Sequence, residues 1–356
     1  MFKIFDLYIG RTIIATTFLT LSTLVGLSGI IKYVEQLRKV GRGSYDLVQA
    51  LYFVLLGMPR DIEMFFPMAT LLGALIALGM LASSSELTVM QASGFSKLDV
   101  GLSVLKTAIP LMIMVMALGE WGSPQTIKMA RELRAFSISG GTIVSVRSGV
   151  WAKDADNYIY IGRIDDKSLK ALTVWQFDKD KDLNTIIYAK SADYIGNNIW
   201  QMKNVQLTYL KDNIQLSKKD LKTYDWKSTI EPDKLDVVTV KPEELSLSGI
   251  YDYVNYLKAS EQDAARYELA FWRKMTQPLS IAVMMLMALS FVFGPLRTVT
   301  MGARIISGII AGFTFYISSE FFGPLSLVYQ IPPIVGAVAP SLLFLALAII
   351  LLRRKL

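Results

Sequence analysis

With 356 residues, 53% of them hydrophobic, and a mean hydropathy of +0.41, the chain is too apolar for a water-soluble protein and is predicted to be an integral membrane protein. It has neither cysteine nor histidine, which excludes disulfide frameworks, thiolate nucleophiles, imidazole bases and the usual nitrogen–sulfur zinc sites. The formal charge of +7 favours an anionic partner, and for a membrane protein lipid headgroups are a better candidate than nucleic acid.

Three membrane spans are predicted before the polar middle of the chain. Residues 12–31 carry no charged side chain and are long enough to cross a hydrocarbon core of about 30 Å. The sequence that follows, KYVEQLRK, lacks a secretory cleavage site, so this span is expected to be retained. Residues 65–82 and 100–119 form the second and third spans. Residues 45–57 are apolar but too short to cross, which predicts an interfacial or re-entrant helix ending near Pro59.

The segment SSSELTVMQASGFS turns the chain between the second and third spans. Ser83 and Glu86 have the spacing of a capping box, and Gly94 suits the end of a short helix. A lone helix of about ten residues is marginal in water. The segment is therefore either a helix that lies on a partner surface or a capped loop at the level of the headgroups.

The polar middle, residues 136–245, has the pattern of short antiparallel strands. Apolar and polar residues alternate in YIYIGRI, LTVWQFD and NVQLTYL, and the turn-forming runs DADN, DKDKDLN and GNN separate such segments. Because long apolar spans flank this block, it is predicted to lie wholly on one side of the bilayer.

A short amphipathic helix and three further spans are predicted after the strands. Residues 248–257 form the helix, and residues 275–293, 305–319 and 334–352 form spans four to six. Gly308 and Gly312 in the fifth span are four residues apart, a spacing that permits close contact between helices and is also common by chance.

Six spans place both termini on the same side of the membrane. Arg11, Lys97 and Arg304 fall on that side, whereas the loop 320–333 has no Lys or Arg. Positive charge is enriched in cytoplasmic loops, so the termini are predicted to be cytoplasmic and the strand-rich block to be on the outer face.

A basic loop on the predicted outer face breaks this charge rule. It contains Lys32, Arg38, Lys39 and Arg42 against Glu35. One reading is that a single loop can defy a statistical bias. The other is that these cations, with Arg131 and Arg134 just after the third span, meet an anionic group at the outer membrane surface, each contact contributing about 1 kcal/mol.

Catalytic patterns in the chain are weak. Ser103 and Lys106 match the S-x-x-K spacing of serine hydrolases, but no companion motif is present, and Lys106 is close enough to the membrane surface to extend its ammonium to the headgroups. Arg60, Asp61 and Glu63 favour an interfacial charge cluster over a catalytic acid pair. No P-loop occurs, so any energy from ATP is supplied by another protein.

The runs GIIKYVEQL, SSSELTVMQASGFS, GEWGSPQ, LMALSFVFGPLR and FFGPLSLVYQIPP, in this order and spacing, closely resemble the LptF/LptG family, the permeases of the bacterial lipopolysaccharide exporter. The resemblance covers essentially the whole chain. It implies an α-helical membrane protein of six transmembrane helices, three on each side of an inserted periplasmic β-jellyroll, in the bacterial inner membrane. The implied divisions are residues 1–135 with a coupling helix at about 84–94, residues 136–245, and residues 246–356.

The same resemblance implies an ABC transporter with several partners. These are the second permease subunit LptF, a dimer of the ATPase LptB, the single-helix protein LptC and the periplasmic jellyroll bridge LptA. ATP and Mg²⁺ would be bound by LptB, and this chain would bind no cofactor or metal itself. The coupling helix would contact LptB through residues around Glu86, Leu87, Met90 and Gly94.

Substrate contacts are implied by position in the family. The phosphates of lipid A would be held by Lys32, Arg131 and Arg134, with Arg38 and Lys39 as weaker candidates. Where the family has an aspartate and a second lysine in the first loop, this chain has Glu35 and Arg38, which keep the charges but alter their reach. Spans one and five would line the lateral gates, with the LptC helix beside span one, and the cavity lining would include Phe65, Phe66, Phe313 and Ile317.

Two other classes compete with a permease. A mechanotransmission ABC subunit moves an outer domain without passing lipid through its membrane part, but its usual plan has one span before that domain, and here three are predicted. An integral membrane enzyme is disfavoured because the chain has no His, no Cys and no convincing pair of nucleophile and base.

Overall fold

A computed structural model describes residues 4–139, 150–154, 157–165, 168–178, 182–196, 198–211, 215–228, 241–259, 262–293 and 299–353. The chain begins with a series of helices. In order they are α1 (Ile4–Leu37), α2 (Leu47–Ser83), α3 (Glu86–Ala92), α4 (Lys97–Ala117), a π-helical turn (Leu118–Gly122) and α5 (Ser123–Ser139).

The polar middle forms one antiparallel sheet in which the described strands pair strictly in chain order. They are β1 (Val150–Asp154), β2 (Asn157–Asp165), β3 (Ser168–Phe177), β4 (Leu183–Gly196), β5 (Ile199–Lys211) and β6 (Gln215–Lys227). This confirms the predicted inserted β unit. The arrangement is a meander, and the jellyroll stays a prediction.

The predicted alternation appears in the register of the sheet. Ile159, Val174 and Ile187 are directly opposite one another on β2, β3 and β4, and all three are fully buried. Tyr158 and Trp175 are directly opposite each other one position along these strands, on the other face, because successive side chains of a strand alternate between faces. The predicted GNN turn joins β4 to β5 with Gly196 and Asn198 at positive φ.

The chain returns to helices after the sheet. A 3₁₀ turn (Pro242–Glu244) leads into α6 (Leu247–Ala259), and then come α7 (Ala265–Met275), α8 (Gln277–Phe293), α9 (Met301–Val328) and α10 (Pro333–Arg353). The predicted amphipathic helix is α6, whose buried face includes Ile250, Val254 and Leu257.

Among the described residues, five helices are long and apolar enough to cross a membrane. The fourth predicted span falls on α7 and α8, which are bent by 49° relative to each other and give a sixth span only if the pair crosses as one. The multi-helix membrane architecture is therefore confirmed, whereas the number six stays a prediction. Three of the candidate helices, namely α1, α2 and the one that starts with α4, precede the sheet.

The predicted separate helix at residues 45–57 is wrong, because this segment and the second span form the single 37-residue helix α2. Pro59 and Pro67 lie inside it. Proline is tolerated within membrane helices because neighbouring groups satisfy the freed carbonyls. Gln277 does so here, since its side-chain amide donates to the carbonyl of Glu63, four residues before Pro67, at 2.9 Å. At 1.5 Å per residue α2 is about 55 Å long, so it extends beyond a hydrocarbon core.

The helix that contains the third predicted span does not end near residue 119, because it continues through the π turn into α5. A Cβ on Gly119 would lie 2.9 Å from Oε1 of Glu63, so the small residue lets α2 approach the turn closely. Glu120, in this turn, accepts a hydrogen bond from the backbone N–H of Leu247 at 2.8 Å. The π turn thus joins α2, α4 and the start of α6.

Small residues allow the helices around α2 to pack closely. On α2 itself, a Cβ on Gly73 would lie 2.5 Å from Cα of Thr17, and the hydroxyl of Thr16 donates to the Gly73 carbonyl at 2.7 Å. On α9, Gly308 and Gly312 face the side chains of α2, including Leu72 and Met68. The small-residue pair noted in the sequence therefore serves packing within this chain.

Gly73→Ala is expected to destabilise the protein by about 1–3 kcal/mol, because the added methyl would overlap the backbone of Thr17 and force α1 away from α2. Thermal unfolding of the purified protein in detergent should show a lower midpoint temperature. Gly26→Ala is the control, since nothing lies within 4 Å of its added Cβ. Equal midpoints for the two variants would contradict this account of the α1–α2 contact.

Candidate functional site

Cations from three parts of the chain converge near the turn between α1 and α2. Lys32 and Lys39 come from the end of α1 and the loop after it, Arg60 from α2, and Arg131 and Arg134 from α5; these five side chains are the basic cluster. The loop is attached to α5, because the N–H of Ser44 donates to the carbonyl of Ser137 at 2.7 Å. Gly43 has a positive φ and passes so close to Ser137 that a Cβ there would lie 2.6 Å from its carbonyl oxygen.

Lys32 is held by a buried acid. Its ammonium pairs with Asp61 of α2, which is 2% exposed and also accepts a hydrogen bond from the hydroxyl of Ser28 at 3.1 Å. The side chain of Lys32 remains 38% exposed. The pair therefore directs a cation toward the surface from a carboxylate that water does not reach.

Arg131 and Arg60 share a second buried acid. Glu244, in the 3₁₀ turn, is 6% exposed and pairs through Oε1 with Arg60 and through Oε2 with Arg131. Each arginine side chain is 31% exposed. Two cations on one carboxylate leave this trio with one net positive charge.

The remaining cations lie next to an aromatic ring and to one another. The guanidinium of Arg134 is 4.7 Å from the ring centre of Phe53, within the range of a cation–π contact. Burial lowers the pKa of Lys39, as do the positive charges of Arg134 and Arg42, while Glu35 opposes the shift. Arg38 is exposed beside them.

Arg60 is the member of the basic cluster that the sequence analysis did not select. Its helix was predicted to be broken at Pro59, which hid the fact that Arg60 and Asp61 lie on a continuous α2. Arg60 also lines a cavity and so connects the basic cluster to it. A sequence signal existed in the charged triplet of Arg60, Asp61 and Glu63, but it did not indicate which partners these residues meet.

The cavity has a volume of about 410 Å³ and lies between α2, α7, α8 and α9. Of the four predicted lining residues, Phe65 and Phe313 line it. Phe66 is fully buried in the helix core, and Ile317 is 50% exposed and lies outside the lining. The apolar part of the wall is completed by Met64, Pro67, Met68, Phe315 and Tyr316.

The polar part of the cavity wall consists of paired charges. Lys274 pairs with Glu63 at 3.1 Å and donates to the Gly119 carbonyl at 3.3 Å. Arg273 donates to the carbonyl of Ser319 at 2.5 Å and lies 3.4 Å from Glu320. Arg60 completes this part of the wall, so the cavity has an apolar wall and a charged wall that adjoins the basic cluster.

The predicted coupling helix is α3, and more of its surface is buried against the rest of this chain than the sequence led us to expect. Leu87 and Met90 are 4% and 5% exposed and belong to the core of the membrane helices, whereas Val89 is 67% exposed. The surface that α3 offers to another protein is thus centred on Val89. Gly94, with φ of 90°, ends the helix as predicted.

The predicted capping box of Ser83 and Glu86 is wrong. Ser83 belongs to α2, and the residue before α3 is Ser85, which has a left-handed backbone and no side-chain cap. Glu86 instead accepts hydrogen bonds from the hydroxyls of Tyr8 at 2.7 Å and Ser84 at 2.9 Å. A capping box does form at the start of α4, where Ser96 pairs with Asp99.

The S-x-x-K pair is part of a contact between helices. Lys106 lies 2.7 Å from Asp6 of α1, and the hydroxyl of Ser103 donates to the same carboxylate at 2.5 Å. Lys106 is therefore paired within the protein rather than extended to the headgroups. Within the described part of the chain, no group of three or more acidic side chains is arranged to hold a metal ion.

Comparison with known proteins gives consistent matches over the full chain. Residues 7–354 match the family described as "Lipopolysaccharide export system permease LptF/LptG". The chain is 50% identical over 356 residues to the "Lipopolysaccharide export system permease protein LptG" of Escherichia coli K12, covering 99% of both chains. It is 49% identical over 358 residues to the protein of the same name from Haemophilus influenzae, covering 100% of this chain and 99% of the other.

Replacing Arg134 by glutamine should raise the pKa of Lys39, because one of the positive charges that disfavour its ammonium form is removed. A higher pKa leaves less neutral amine, so Lys39 should react more slowly with an acylating reagent at mildly alkaline pH, as measured by mass spectrometry. Arg38→Gln is the matched control, since Arg38 does not contribute to the pKa shift of Lys39. Identical rates of Lys39 acylation in the Arg134 variant and the unmodified protein would contradict the placement of Arg134 beside Lys39.

Proposed function

The chain belongs to the LptF/LptG family of lipopolysaccharide export permeases, and from this premise we propose that it is the transmembrane permease subunit of an ABC transporter. Its role is to extract lipopolysaccharide from the inner membrane and pass it to the periplasmic bridge toward the outer membrane. The observation that carries the proposal is the basic cluster, which shares Arg60 with a cavity that has an apolar wall. Cations beside an apolar wall suit a ligand with a phosphorylated head and acyl chains.

The hydrophobic effect explains why such a protein is needed. Moving one acyl chain of about a dozen CH₂ groups into water costs about 10 kcal/mol, at about 0.8 kcal/mol per CH₂. Several chains on one lipid multiply this cost, so the lipid cannot be released into the periplasm as a free molecule. The transporter must offer apolar surface from the bilayer to the next protein, and Phe65 and Phe313 supply part of that surface here.

The proposed topology has six transmembrane helices, cytoplasmic termini and a periplasmic β domain of the jellyroll type. The five or six helices of suitable length, three of them ahead of the sheet, support this arrangement. Positive side chains on the predicted cytoplasmic side, including Arg11 and Lys97, support its orientation. Three helices before the sheet also argue against a mechanotransmission subunit, which has one.

The proposed complex contains LptF as the second permease subunit, a dimer of LptB, LptC beside span one, and LptA as the bridge. As a permease subunit this chain is not an enzyme. Because its sequence has no P-loop, ATP with Mg²⁺ binds to LptB. The family membership supports the second permease subunit directly, because the family is named for LptF and LptG together.

The proposed transport cycle begins when lipid enters sideways between spans one and five. Lys32, Arg131 and Arg134, joined by Arg60, bind the phosphates and orient the head, with Lys39 and Arg38 as weaker contacts. ATP closes the LptB dimer, α3 is displaced, and the narrowing cavity drives the lipid toward the β domain. The hydroxyl of Tyr8 supports this coupling, since its bond to Glu86 joins α3 to α1.

Reversing the charge of Lys32, Arg131 and Arg134 together should abolish lipopolysaccharide transport while the complex still assembles. Three cations contribute about 1 kcal/mol each at an anionic surface, and reversal replaces attraction by repulsion. Photo-crosslinking of lipopolysaccharide to a probe at position 65, in membranes with the whole complex, measures entry. Reversal of Lys218, Lys219 and Lys222, exposed on β6, is the matched control. Normal transport by the variant with Lys32, Arg131 and Arg134 reversed would contradict the proposed phosphate site.

Val89→Asp should weaken association with LptB, because it places a charge on the apolar residue that α3 exposes most. Copurification of LptB should fall several-fold, and ATP hydrolysis should no longer depend on lipopolysaccharide. The control is Val48→Asp. Val48 is an exposed valine in the first turn of α2, whereas α3 follows the last turn of α2. Full retention of LptB by the Val89 variant would show that α3 is not the contact.

A further inference from the structure

Glu244 occupies an unusual position between two arginines of the basic cluster. Its carboxylate is 6% exposed, with one oxygen paired to Arg60 and the other to Arg131. The two guanidiniums come from separate helices, α2 and α5, and each arginine side chain is 31% exposed. A single carboxylate therefore links two cations whose side chains are both partly exposed.

A phosphate group makes the same kind of contact. Guanidinium binds carboxylate and phosphate through the same planar set of N–H donors, and both anions can accept from two guanidiniums at once. The place between Arg60 and Arg131 is thus suited to a phosphate, but in this structure it holds the protein's own anion. Glu244 lowers the net charge of the arginine pair from two to one.

The element that carries Glu244 differs from those that carry its partners. Arg60 and Arg131 lie on α2 and α5, helices of 37 and 17 residues, whereas Glu244 lies in a three-residue 3₁₀ turn. A short 3₁₀ turn has few and poorly aligned hydrogen bonds, so its side chains move at lower cost than those of a long helix. Asp61, the acid that holds Lys32, lies by contrast within α2 itself.

We propose that Glu244 is an internal anion that occupies the lipid-phosphate position between Arg60 and Arg131 when no lipid is bound, and that it exchanges with the phosphate of the substrate. This inference rests on the function proposed above and adds a release mechanism to it. A transporter must release its substrate as well as bind it. A tethered carboxylate that returns to the arginines competes with the phosphate and accelerates its departure.

The test measures binding of a fluorescent bisphosphorylated lipid A and its dephosphorylated counterpart to the purified complex. Glu244→Gln removes the competing charge and keeps the shape of the side chain. We expect the dissociation constant of the phosphorylated probe to fall about tenfold, and its dissociation to slow. Affinity for the dephosphorylated probe should not change, because it carries no anion to compete.

Two variants control for the loss of a negative charge elsewhere in the site and for the retention of the charge at position 244. Glu132→Gln removes one negative charge from an exposed position next to Arg131 and should leave both affinities unchanged. Glu244→Asp keeps the charge and should bind the phosphorylated probe much as the unmodified protein does. Weaker or unchanged binding in the Glu244→Gln variant would overturn the proposal, as would equal tightening in the aspartate variant.

The same measurements separate this inference from the proposed function. If the unmodified complex binds both probes equally, the phosphate site itself is absent, so the phosphate-binding step of the proposed function and the role of Glu244 both fail. If it prefers the phosphorylated probe, and charge reversal at Arg131 removes that preference while Glu244→Gln does not tighten binding, then only the role of Glu244 fails.

Discussion

A charge that is removed from water must find a partner within the protein, and this constraint organises the helices described here. Asp6, Asp61 and Glu244 are all almost fully buried, and each pairs with a partly exposed cation on another element. Lys106 is joined in this way to α1, and Lys32 to α2. Because breaking the pairs of Asp6 and Asp61 would leave a buried charge alone, these two pairs hold neighbouring helices at fixed positions, whereas Glu244 has a second possible counterpart in the substrate phosphate.

The long helix α2 provides the frame for these contacts. It packs closely against α1 and α9 at small residues such as Gly73 and Gly308. Arg60 and Asp61 lie in its first half, and α3 follows shortly after its end. The basic cluster and the predicted ATPase contact are therefore connected through one continuous element. Its length, which exceeds a bilayer core, is what separates the two regions.

In the proposed mechanism, the basic cluster and the apolar cavity wall have different tasks in export. The cations would recognise a phosphorylated head, but they would also retain it, and Glu244 beside them would limit that retention. The apolar wall with Phe65 and Phe313 would hold the acyl chains, which are poorly soluble in water, but it cannot select one lipid from another. The proposed carrier would thus recognise the lipid by its head and shield its acyl chains, with the energy supplied by the proposed partner ATPase.

Some of these features were determined by the sequence alone. The membrane spans and strands follow from local properties, since apolar length and alternation do not depend on distant residues; both Gly94 and the GNN turn acted as their residue types predict. The resemblance in the ordered runs was likewise sufficient to indicate the family.

What only the tertiary structure decided is which charge meets which. Lys32 and Asp61 are 29 residues apart, and Arg60 and Glu244 are 184 apart, so no local pattern links them. Local rules also failed at Pro59, which lies inside α2 rather than at a helix end, and at Ser83, whose expected partner Glu86 bonds to Tyr8 on another helix. The physical reason is that the pairing of buried charges depends on how whole helices pack, and packing is a property of the folded chain rather than of any segment of it.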